Sequence, residues 1–401
     1  MGIDRVIESL RDARWLDGVR VRVYGVMLAL GLAAMTIWLI VSPLRAAIPG
    51  GDFISFYAAS LLALAGDAAG AWRPEVHEAA QHAVLPGYYG YLAFFYPPPY
   101  LLICLPLALL PFGAALMGWI GATALAAVAA LASYLRGVSG ARVLPLLLFA
   151  LPAVWINILA GQNGALMLAI LTAGFAALRR GQVVGGAILG LLVIKPQLAL
   201  AIPFVLAAAG WWPAFLAMGA SAAGWCAIAW VVLGGDAYAA FLANIANARS
   251  ALDAGGVDPA LLQSLFGMLQ PVSPLAAYIG QGLLSVVVLG SACAIAYRAR
   301  PVAADLGALA VAATLASTPF LLDYDLLAAA LPLWWLAASG IESGFRPWEK
   351  LVCLAASLLP LFTRELALAL HLQLGSLLSL LLFATVARRI VAESSPSKRM
   401  P

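Results

Sequence analysis

The chain has 401 residues, of which 64% are hydrophobic and 10% are charged, and its mean hydropathy is +0.99. Several apolar stretches reach the length of about 20 residues that spans a bilayer as a helix, which excludes a soluble globular protein and predicts an all-α polytopic membrane protein. The net charge of +4 is small and the basic residues lie between the apolar stretches, so the charge gives no support for nucleic acid as a partner.

The N-terminal part of the chain predicts a surface helix followed by a membrane span. Residues 1–23 mix five arginines with scattered apolar side chains, a pattern typical of a short helix on the cytoplasmic surface of a membrane. The apolar stretch that follows, residues 24–48, is too long for the core of a signal peptide and is predicted to be retained as a span. We expect one integral membrane domain over residues 1–401, with a core module at 24–275 and C-terminal transmembrane helices at 276–401.

Eleven further apolar stretches bring the predicted number of transmembrane helices to about 12. They are expected to be helical because lipid offers no partner to an unpaired backbone group. An even number of spans puts both termini on one side, and the arginines near both termini place that side in the cytoplasm. The stretches cover residues 98–112, 113–135, 143–158, 162–178, 183–209, 213–233, 276–298, 303–319, 324–340, 347–363 and 370–390.

The middle of the chain admits two topologies. In the first, residues 98–135 form two spans and residues 183–209 form one, which leaves Arg136, Arg142, Arg179 and Arg180 outside. In the second, residues 98–135 form one broken span and residues 183–209 split at Lys195-Pro196, which brings all four arginines to the cytoplasmic side, where positive charges are favoured. We favour the first topology, because 38 residues are more than one span needs.

Two long segments lie on the far side of the membrane in either topology, and they contain most of the polar residues outside the spans. Residues 49–96 begin with two glycines and Asp52, and residues 234–275 include a helix, predicted from Asp236 to Arg249, that lies on the membrane. We therefore expect these outer segments to carry amphipathic helices and to contain the functional site.

Asp52 is the first candidate for a functional residue. It is ionisable, lies at the edge of the bilayer, and follows Gly50 and Gly51, which let a second backbone or a ligand come close. The alternative is that Asp52 caps the N-terminus of the helix that follows, a common role for aspartate. The two roles are compatible, since each carboxylate oxygen can serve one of them.

Lys195 is the second candidate, because a lysine within an apolar stretch costs about 3 kcal/mol on membrane insertion. Pro196 frees a backbone carbonyl beside it. The lysine either binds an anionic ligand, extends its amine to the membrane surface, or pairs with a buried acid.

Short motifs in a fixed order resemble one family of membrane enzymes. The chain resembles glycosyltransferase family 87, also called domain of unknown function 2029, over roughly residues 45–335. Phe320 is the departure that we notice, since a tyrosine is as frequent there. The motifs are Gly51-Asp52-Phe53 with Phe56-Tyr57, Tyr96-Pro97-Pro98, Gly161-Gln162-Asn163, Lys195-Pro196-Gln197, and Thr318-Pro319-Phe320 with Asp323-Tyr324-Asp325.

The resemblance implies a GT-C fold in a bacterial inner membrane, with the active site facing the periplasm. It implies a polyprenyl-phosphate sugar as donor, mannose in the best understood branch of the family, and a hydroxyl of a lipid or glycan as acceptor. Membrane lipids are further partners. No cofactor is implied, and a requirement for a divalent metal stays open.

The resemblance also implies roles for individual residues. Asp52 is the general base, and Lys195 and Arg249 bind the donor phosphate. For Arg249 the alternative is a contact with lipid headgroups or water, and for the acids and amides of the later motifs it is a turn or a helix cap. Eight further residues are implied to bind substrate: Tyr57, Tyr96, Gln162, Asn163, Gln197, Gln263, Asp323 and Asp325.

No metal site is predicted, because the cysteines lack zinc spacing and His77 and His82 are five positions apart instead of four. A multi-span transporter or a flippase for lipid-linked sugars is the alternative function. The sequence shows no repeated halves with matching broken helices, which argues against that class.

Overall fold

The computed structural model describes residues 3–41, 50–87, 90–138, 141–253 and 259–394. Within these ranges the regular structure is helical and no strand forms, apart from an antiparallel bridge between Leu262 and Leu322. This confirms the predicted all-α class. The physical reason is that lipid offers no hydrogen-bond partner, whereas a helix satisfies its own backbone donors and acceptors.

Nineteen α-helices occur in the described residues. In chain order they are α1 (Ile3–Asp12), α2 (Gly18–Val41), α3 (Phe53–Leu64), α4 (Pro74–Val84), α5 (Pro98–Cys104), α6 (Phe112–Tyr134), α7 (Pro152–Ala160), α8 (Gly164–Leu178), α9 (Gln182–Gly190), α10 (Ile202–Ala208), α11 (Trp212–Leu233), α12 (Gly235–Asp253), α13 (Leu265–Leu269), α14 (Pro274–Ala299), α15 (Ala303–Ser317), α16 (Ala330–Ser343), α17 (Glu349–Leu358), α18 (Thr363–Leu370) and α19 (Leu374–Ser394).

Short 3₁₀ helices connect many of these elements, often where a proline removes a backbone donor and interrupts an α-helix. Those at Leu105–Leu109, Ala141–Ala150 and Pro196–Ala199 each contain such a proline. The others in the described chain are Ala68–Trp72, Leu191–Ile194, Pro259–Leu261, Asp323–Ala329 and Leu359–Leu361.

Six helical segments among the described residues are long and apolar enough to cross a membrane. A pair bent by 69°, Glu349–Leu361 with Thr363–Leu370, would be a seventh. Several other apolar helices are shorter, so the number of 12 transmembrane helices stays a prediction. The six are Gly18–Val41, Phe112–Tyr134, Trp212–Leu233, Pro274–Ala299, Asp323–Ser343 and Leu374–Ser394.

One end of the helix bundle, which we call the arginine end, gathers basic residues from distant parts of the chain. Arg179 donates hydrogen bonds to the carbonyls of Ser133 and Arg136, and the hydroxyl of Tyr134 donates to the carbonyl of Ala304. Arg300 donates to the carbonyl of Ala209 at 3.1 Å. The turns after α6, α8, α10 and α14 therefore lie together.

The N-terminal helix belongs to the same end. The backbone amide of Trp348 donates to the carbonyl of Arg11 at 2.7 Å, and the amine of Lys350 donates to the carbonyl of Leu16 at 2.9 Å. Beneath them, Arg389 is fully buried and pairs with Glu349 at 2.6 Å. The predicted N-terminal helix is thus present and docks beside α17.

The favoured topology for the middle of the chain is wrong, and the second one fits the structure. The first topology puts Tyr134 and Ala304 on opposite sides of the membrane, whereas the structure joins them by a hydrogen bond. The error lies in residues 98–111, which do not cross the bundle. Proline interrupts this stretch, and it folds back along α3, where the hydroxyl of Tyr57 donates to the carbonyl of Leu110 at 2.8 Å.

The outer segments form a cap over the other end of the bundle. In α12 the ring of Phe241 packs against that of Trp72 at 6.0 Å, while Leu242 and Ile245 are exposed. The predicted helix is confirmed, but it is not amphipathic, because it carries apolar side chains on its exposed face as well as its packed face. Such a helix suits a position between protein and lipid.

The revised topology predicts the sidedness of three exposed positions. In a variant without the four native cysteines, single cysteines replace Arg180, Val302 or Val272. A membrane-impermeant maleimide should label the first two in vesicles of one orientation and the third only in vesicles of the other, because Arg180 and Val302 both lie at the arginine end. Labelling of Arg180→Cys together with Val272→Cys would contradict this topology.

Candidate active site

The site starts from a backbone contact between the beginning of α3 and the end of α7. The amide of Gly50 donates to the carbonyl of Leu159 at 2.8 Å, and the amide of Asp52 donates to that of Ala160 at 3.0 Å. Gly50 and Gly161 both have positive φ, and a Cβ atom on Gly161 would lie only 2.9 Å from the Cα of Gly50. Glycine is therefore required where the two turns meet.

This contact places the carboxylate of Asp52 beside the amide of Gln162. Oδ2 of Asp52 accepts from Nε2 of Gln162 at 2.9 Å, and no other described residue donates to the carboxylate. Asp52 sits at the N-cap position of α3 but makes no side-chain cap bond, so the capping role considered for it is wrong. Its partly exposed side chain keeps Oδ1 available to a ligand.

The charge state of Asp52 follows from its surroundings. Burial raises the pKa of its carboxyl above the ordinary value. The hydrogen bond from Gln162 and the positive charges of Lys195 and Arg364 offset part of this rise. The result is a carboxylate that is more basic than a surface aspartate and is held in one orientation.

Hydrogen bonds fix the orientation of the Gln162 side-chain amide. Its Oε1 accepts from the hydroxyl of Tyr96 at 2.9 Å and from the amide of Asn163 at 3.2 Å. Two donors on the oxygen direct the NH₂ group toward Asp52. Burial raises the pKa of Tyr96 well above its ordinary value, so the phenol keeps its proton and acts as a donor.

Lys195 lies at a break in the helical chain, between the 3₁₀ helices Leu191–Ile194 and Pro196–Ala199. Its Nζ donates to Oδ1 of Asp325 at 2.6 Å and to Oδ1 of Asn163 at 3.2 Å. The rings of Tyr324 and Tyr96 lie 4.8 and 5.7 Å from the same amine. Only 1% of the lysine side chain and none of the aspartate side chain is exposed. Of the alternatives for Lys195, pairing with a buried acid is the one that the structure shows.

Five of the predicted site residues thus join Asp52 in one polar cluster, which we call the site cluster. The adjacent residues Gln162 and Asn163 connect the carboxylate at one side to the lysine pair at the other. The cluster consists of Asp52, Tyr96, Gln162, Asn163, Lys195 and Asp325.

Two predicted substrate-binding residues serve the scaffold. The hydroxyl of Tyr57 is engaged by the carbonyl of Leu110, 2.8 Å away. Gln263 is fully buried; its amide group bonds Ala260, Thr363 and Gly375, and its backbone amide bonds Leu321. Neither residue touches the site cluster through these bonds.

The remaining predicted residues either lie close in sequence to members of the site cluster or have side chains outside the described residues. Oδ1 of Asp323 accepts from the amide of Tyr324 at 2.8 Å, which is the turn role considered for it. Gln197 is half-buried, two positions after Lys195. The helix that carries Arg249 is present, but its side chain lies outside the described residues.

The sequence analysis missed two parts of the site. Aromatic rings of Phe56, Phe94 and Tyr100 surround Tyr96, the nearest being Tyr100 at 4.3 Å. The indole of Trp119 donates to the carbonyl of Gln162. The other missed part is the positive charge of Arg364, which lowers the pKa of the Asp52 carboxyl. Arg364 directly follows a predicted span that ends on the outer side of the membrane. Basic residues are usually enriched on the cytoplasmic side, so an arginine at this outer position was the signal in the sequence.

The acids of the site differ in what they contact. No group of three metal-ligating side chains occurs in the described part of the chain. Asp325 is neutralised by Lys195, whereas Asp52 faces a neutral amide. The arrangement therefore provides one partly open carboxylate that can accept a proton, next to a closed ion pair that can hold its neighbours in place.

The ion pair predicts a large effect on stability. Lys195→Met should lower the free energy of unfolding by about 3–5 kcal/mol, because it leaves the Asp325 carboxylate buried without its cation. Thermal unfolding in detergent measures this. Lys350→Met, at a partly exposed lysine, is the matched control with a smaller loss, and Lys195→Met combined with Asp325→Leu should recover part of the stability. An unchanged unfolding midpoint in Lys195→Met would show that the ion pair does not stabilise the folded protein.

Comparison with known proteins gives one match. The model of glycosyltransferase family 87 matches residues 94–322, more than half of the chain, and this range contains Tyr96, Gln162, Asn163 and Lys195. No curated protein and no solved structure matches. Together with the long apolar helices, the match identifies the chain as a membrane glycosyltransferase that belongs to glycosyltransferase family 87.

Proposed function

We propose that this protein transfers a hexose, specifically mannose, from a polyprenyl-phosphate donor to a hydroxyl group of a lipid or glycan acceptor. Asp52 is the general base of the transfer. The observation that supports this assignment is its half-engaged carboxylate, with Oδ2 held by Gln162 and Oδ1 without a hydrogen bond from the described residues.

The proposed hexose transfer requires few catalytic groups. Phosphate is a good leaving group, so a general acid is not required, and one base that takes the proton of the acceptor hydroxyl is sufficient. A single displacement through an oxocarbenium-like transition state inverts the anomeric carbon, as in inverting glycoside hydrolases. A β-linked donor therefore gives an α-linked product.

The environment of Asp52 suits a base. Burial raises its pKa toward the working pH, where a base combines strength with a large ionised fraction. Gln162 holds one carboxylate oxygen and is itself held by Tyr96, so the other oxygen keeps its direction toward an acceptor.

Lys195 supports the reaction through its neighbours in this proposal. Its amine already binds Asp325 and Asn163 and is almost fully buried, so the geometry does not favour the predicted contact with the donor phosphate. By holding Asn163, it holds the turn that carries Gln162.

The distribution of positive charge supports a periplasmic active site in a bacterial inner membrane. Arg136, Arg179, Arg300 and Arg389 lie at the end opposite to the site cluster, and such residues are enriched on the cytoplasmic side. We include a GT-C fold in the same proposal.

Replacement of the base should abolish transfer without unfolding the protein. Asp52→Asn should reduce the rate of hexose transfer by about 10²- to 10⁴-fold, the usual contribution of a general base. The measurement follows label from a radiolabelled polyprenyl-phosphate mannose into the lipids and glycans of membranes that contain the protein. Asp236→Asn, at an exposed acid in α12, is the control and should leave the rate unchanged.

Transfer that survives in Asp52→Asn would contradict the role of Asp52. Absence of transfer from any lipid-linked sugar by the wild-type protein would contradict the transferase proposal and favour a transporter or flippase. In that case the protein should move a fluorescent lipid-linked sugar across sealed vesicles.

The hydrogen bond from Gln162 predicts a change in the pH profile. The base acts only when it is deprotonated, so transfer is lost as the pH falls through the pKa of Asp52. Gln162→Leu removes a bond that favours the charged form, which raises this pKa and moves the acidic limb of the rate profile to higher pH. Rates measured over a pH series test this. A limb that stays in place or moves to lower pH would contradict the assignment.

A further inference from the structure

The segment that carries Tyr96 has no regular structure of its own. In the described residues 90–96, which we call the Tyr96 loop, the backbone forms neither helix nor strand, and it leads directly into α5. Phe94 in this loop is fully buried, so the loop packs against the rest of the protein. Backbone donors and acceptors in such a loop need partners from other segments. The side chains that supply these partners therefore set the position of Tyr96.

Gln81 in α4 binds both backbone groups of Leu92, near the start of the Tyr96 loop. Its Oε1 accepts from the amide of Leu92 at 3.1 Å, and its Nε2 donates to the carbonyl of the same residue at 2.7 Å. Because Nε2 carries two hydrogens, it also donates to Nδ1 of His77 at 3.2 Å. Gln81 is fully buried and has one orientation that satisfies all three bonds.

His77 connects this arrangement to α3. Its Nε2 donates to the carbonyl of Ser55 at 3.0 Å, three residues after Asp52, which leaves Nδ1 as the acceptor for Gln81. Burial lowers the pKa of His77 to about 4, so the ring is neutral near pH 7 and keeps both roles. The start of the Tyr96 loop is thereby held against α3 and α4.

Trp72 holds the other end of the Tyr96 loop. It is the last residue of the 3₁₀ helix Ala68–Trp72 and is almost fully buried. Its indole Nε1 donates to the carbonyl of Tyr96 at 3.0 Å. The indole ring packs against Phe94 at 5.6 Å and against Phe241 of α12 at 6.0 Å. The donor that fixes Tyr96 is therefore itself held by two aromatic contacts.

These contacts reach the carboxylate of Asp52 through Tyr96. The hydroxyl of Tyr96 donates to Oε1 of Gln162 at 2.9 Å, and Nε2 of Gln162 donates to Asp52 at 2.9 Å. Trp72 is thus connected to Asp52 through Tyr96 and Gln162. A displaced Tyr96 loop would release the amide of Gln162 and weaken the one hydrogen bond that Asp52 receives from the described residues.

We propose that Trp72 and Gln81 are positioning residues of the transfer, which fix the Tyr96 loop so that the Tyr96 hydroxyl holds Gln162 against Asp52. This inference rests on the proposed function. Trp72 and Gln81 bind backbone groups of the loop, and neither donates to Asp52. Their effect on the reaction therefore passes through Tyr96.

Trp72→Phe tests the proposal, because it removes the indole donor and keeps an aromatic ring. In the transfer assay with radiolabelled polyprenyl-phosphate mannose, kcat should fall by about 10-fold, since the buried carbonyl of Tyr96 loses its partner. KM for the donor should stay close to that of wild type. Trp334→Phe is the matched control and should keep the wild-type rate, because Trp334 is also buried and its indole donates to the carbonyl of Leu144, outside the site cluster.

The pH profile distinguishes positioning from a purely structural role. Trp72→Phe weakens a bond that favours the charged form of Asp52, so its pKa rises and the acidic limb moves to higher pH, as in Gln162→Leu. Lys195, Arg364 and Asp323, the charged groups that act together with Asp52, are unchanged in this variant. A lower rate with an unmoved limb would mean that Trp72 only stabilises the fold, and would overturn the proposal.

A double variant tests the route of the effect. Gln162→Leu removes the amide through which Trp72 acts, so the addition of Trp72→Phe should move the acidic limb no further. A further shift in the double variant would show that Trp72 affects Asp52 by a route that does not include Gln162, and would contradict the proposal.

The outcomes separate the inference from the function on which it rests. If the wild-type protein transfers hexose and Trp72→Phe has the same rate and pH profile as Trp334→Phe, the positioning role is overturned and the proposed function stands. If the wild type transfers no hexose, both fail. Should Trp72→Phe not fold, Gln81→Met decides the matter, because it keeps the length of the side chain and removes both bonds to Leu92. An unmoved acidic limb in Gln81→Met would contradict the proposal.

Discussion

The ion pair between Lys195 and Asp325 is the interaction on which the site depends. It joins a break in the middle of the chain to the turn before α16, and through Asn163 it also holds the turn that carries Gln162. Gln162 then positions Asp52. Four segments far apart in sequence are thus brought together by hydrogen bonds around one ammonium group, and each would be displaced by its loss.

A fully buried ion pair is costly unless its hydrogen bonds and surroundings compensate for lost water. Here the amine has two oxygen partners and the faces of Tyr324 and Tyr96, which favour a cation. The arrangement explains why a lysine remains in an apolar stretch. The ion pair holds the neighbouring residues of the site in place, while the reacting carboxylate of Asp52 stays partly open to a ligand.

Much of the site was predictable, because ionisable and amide side chains are conspicuous between apolar stretches. Asp52, Gln162 and Lys195 were selected in this way, and the structure brings them together. Their roles were less predictable. Tyr57 and Gln263 bind backbone groups of the scaffold, since their polar atoms point to carbonyls and amides that lie far away in sequence.

By itself, the sequence determined that the protein is helical and lies in a membrane, because hydrophobic length and the need to pair backbone groups are local properties. It also determined which polar residues were available for a site. Only the tertiary structure decided that residues 98–111 fold back along α3, that Lys195 is neutralised, and that Gln162 binds Asp52. These outcomes depend on contacts between distant segments, and no local pattern specifies which acid a buried lysine meets or which amide orients a carboxylate.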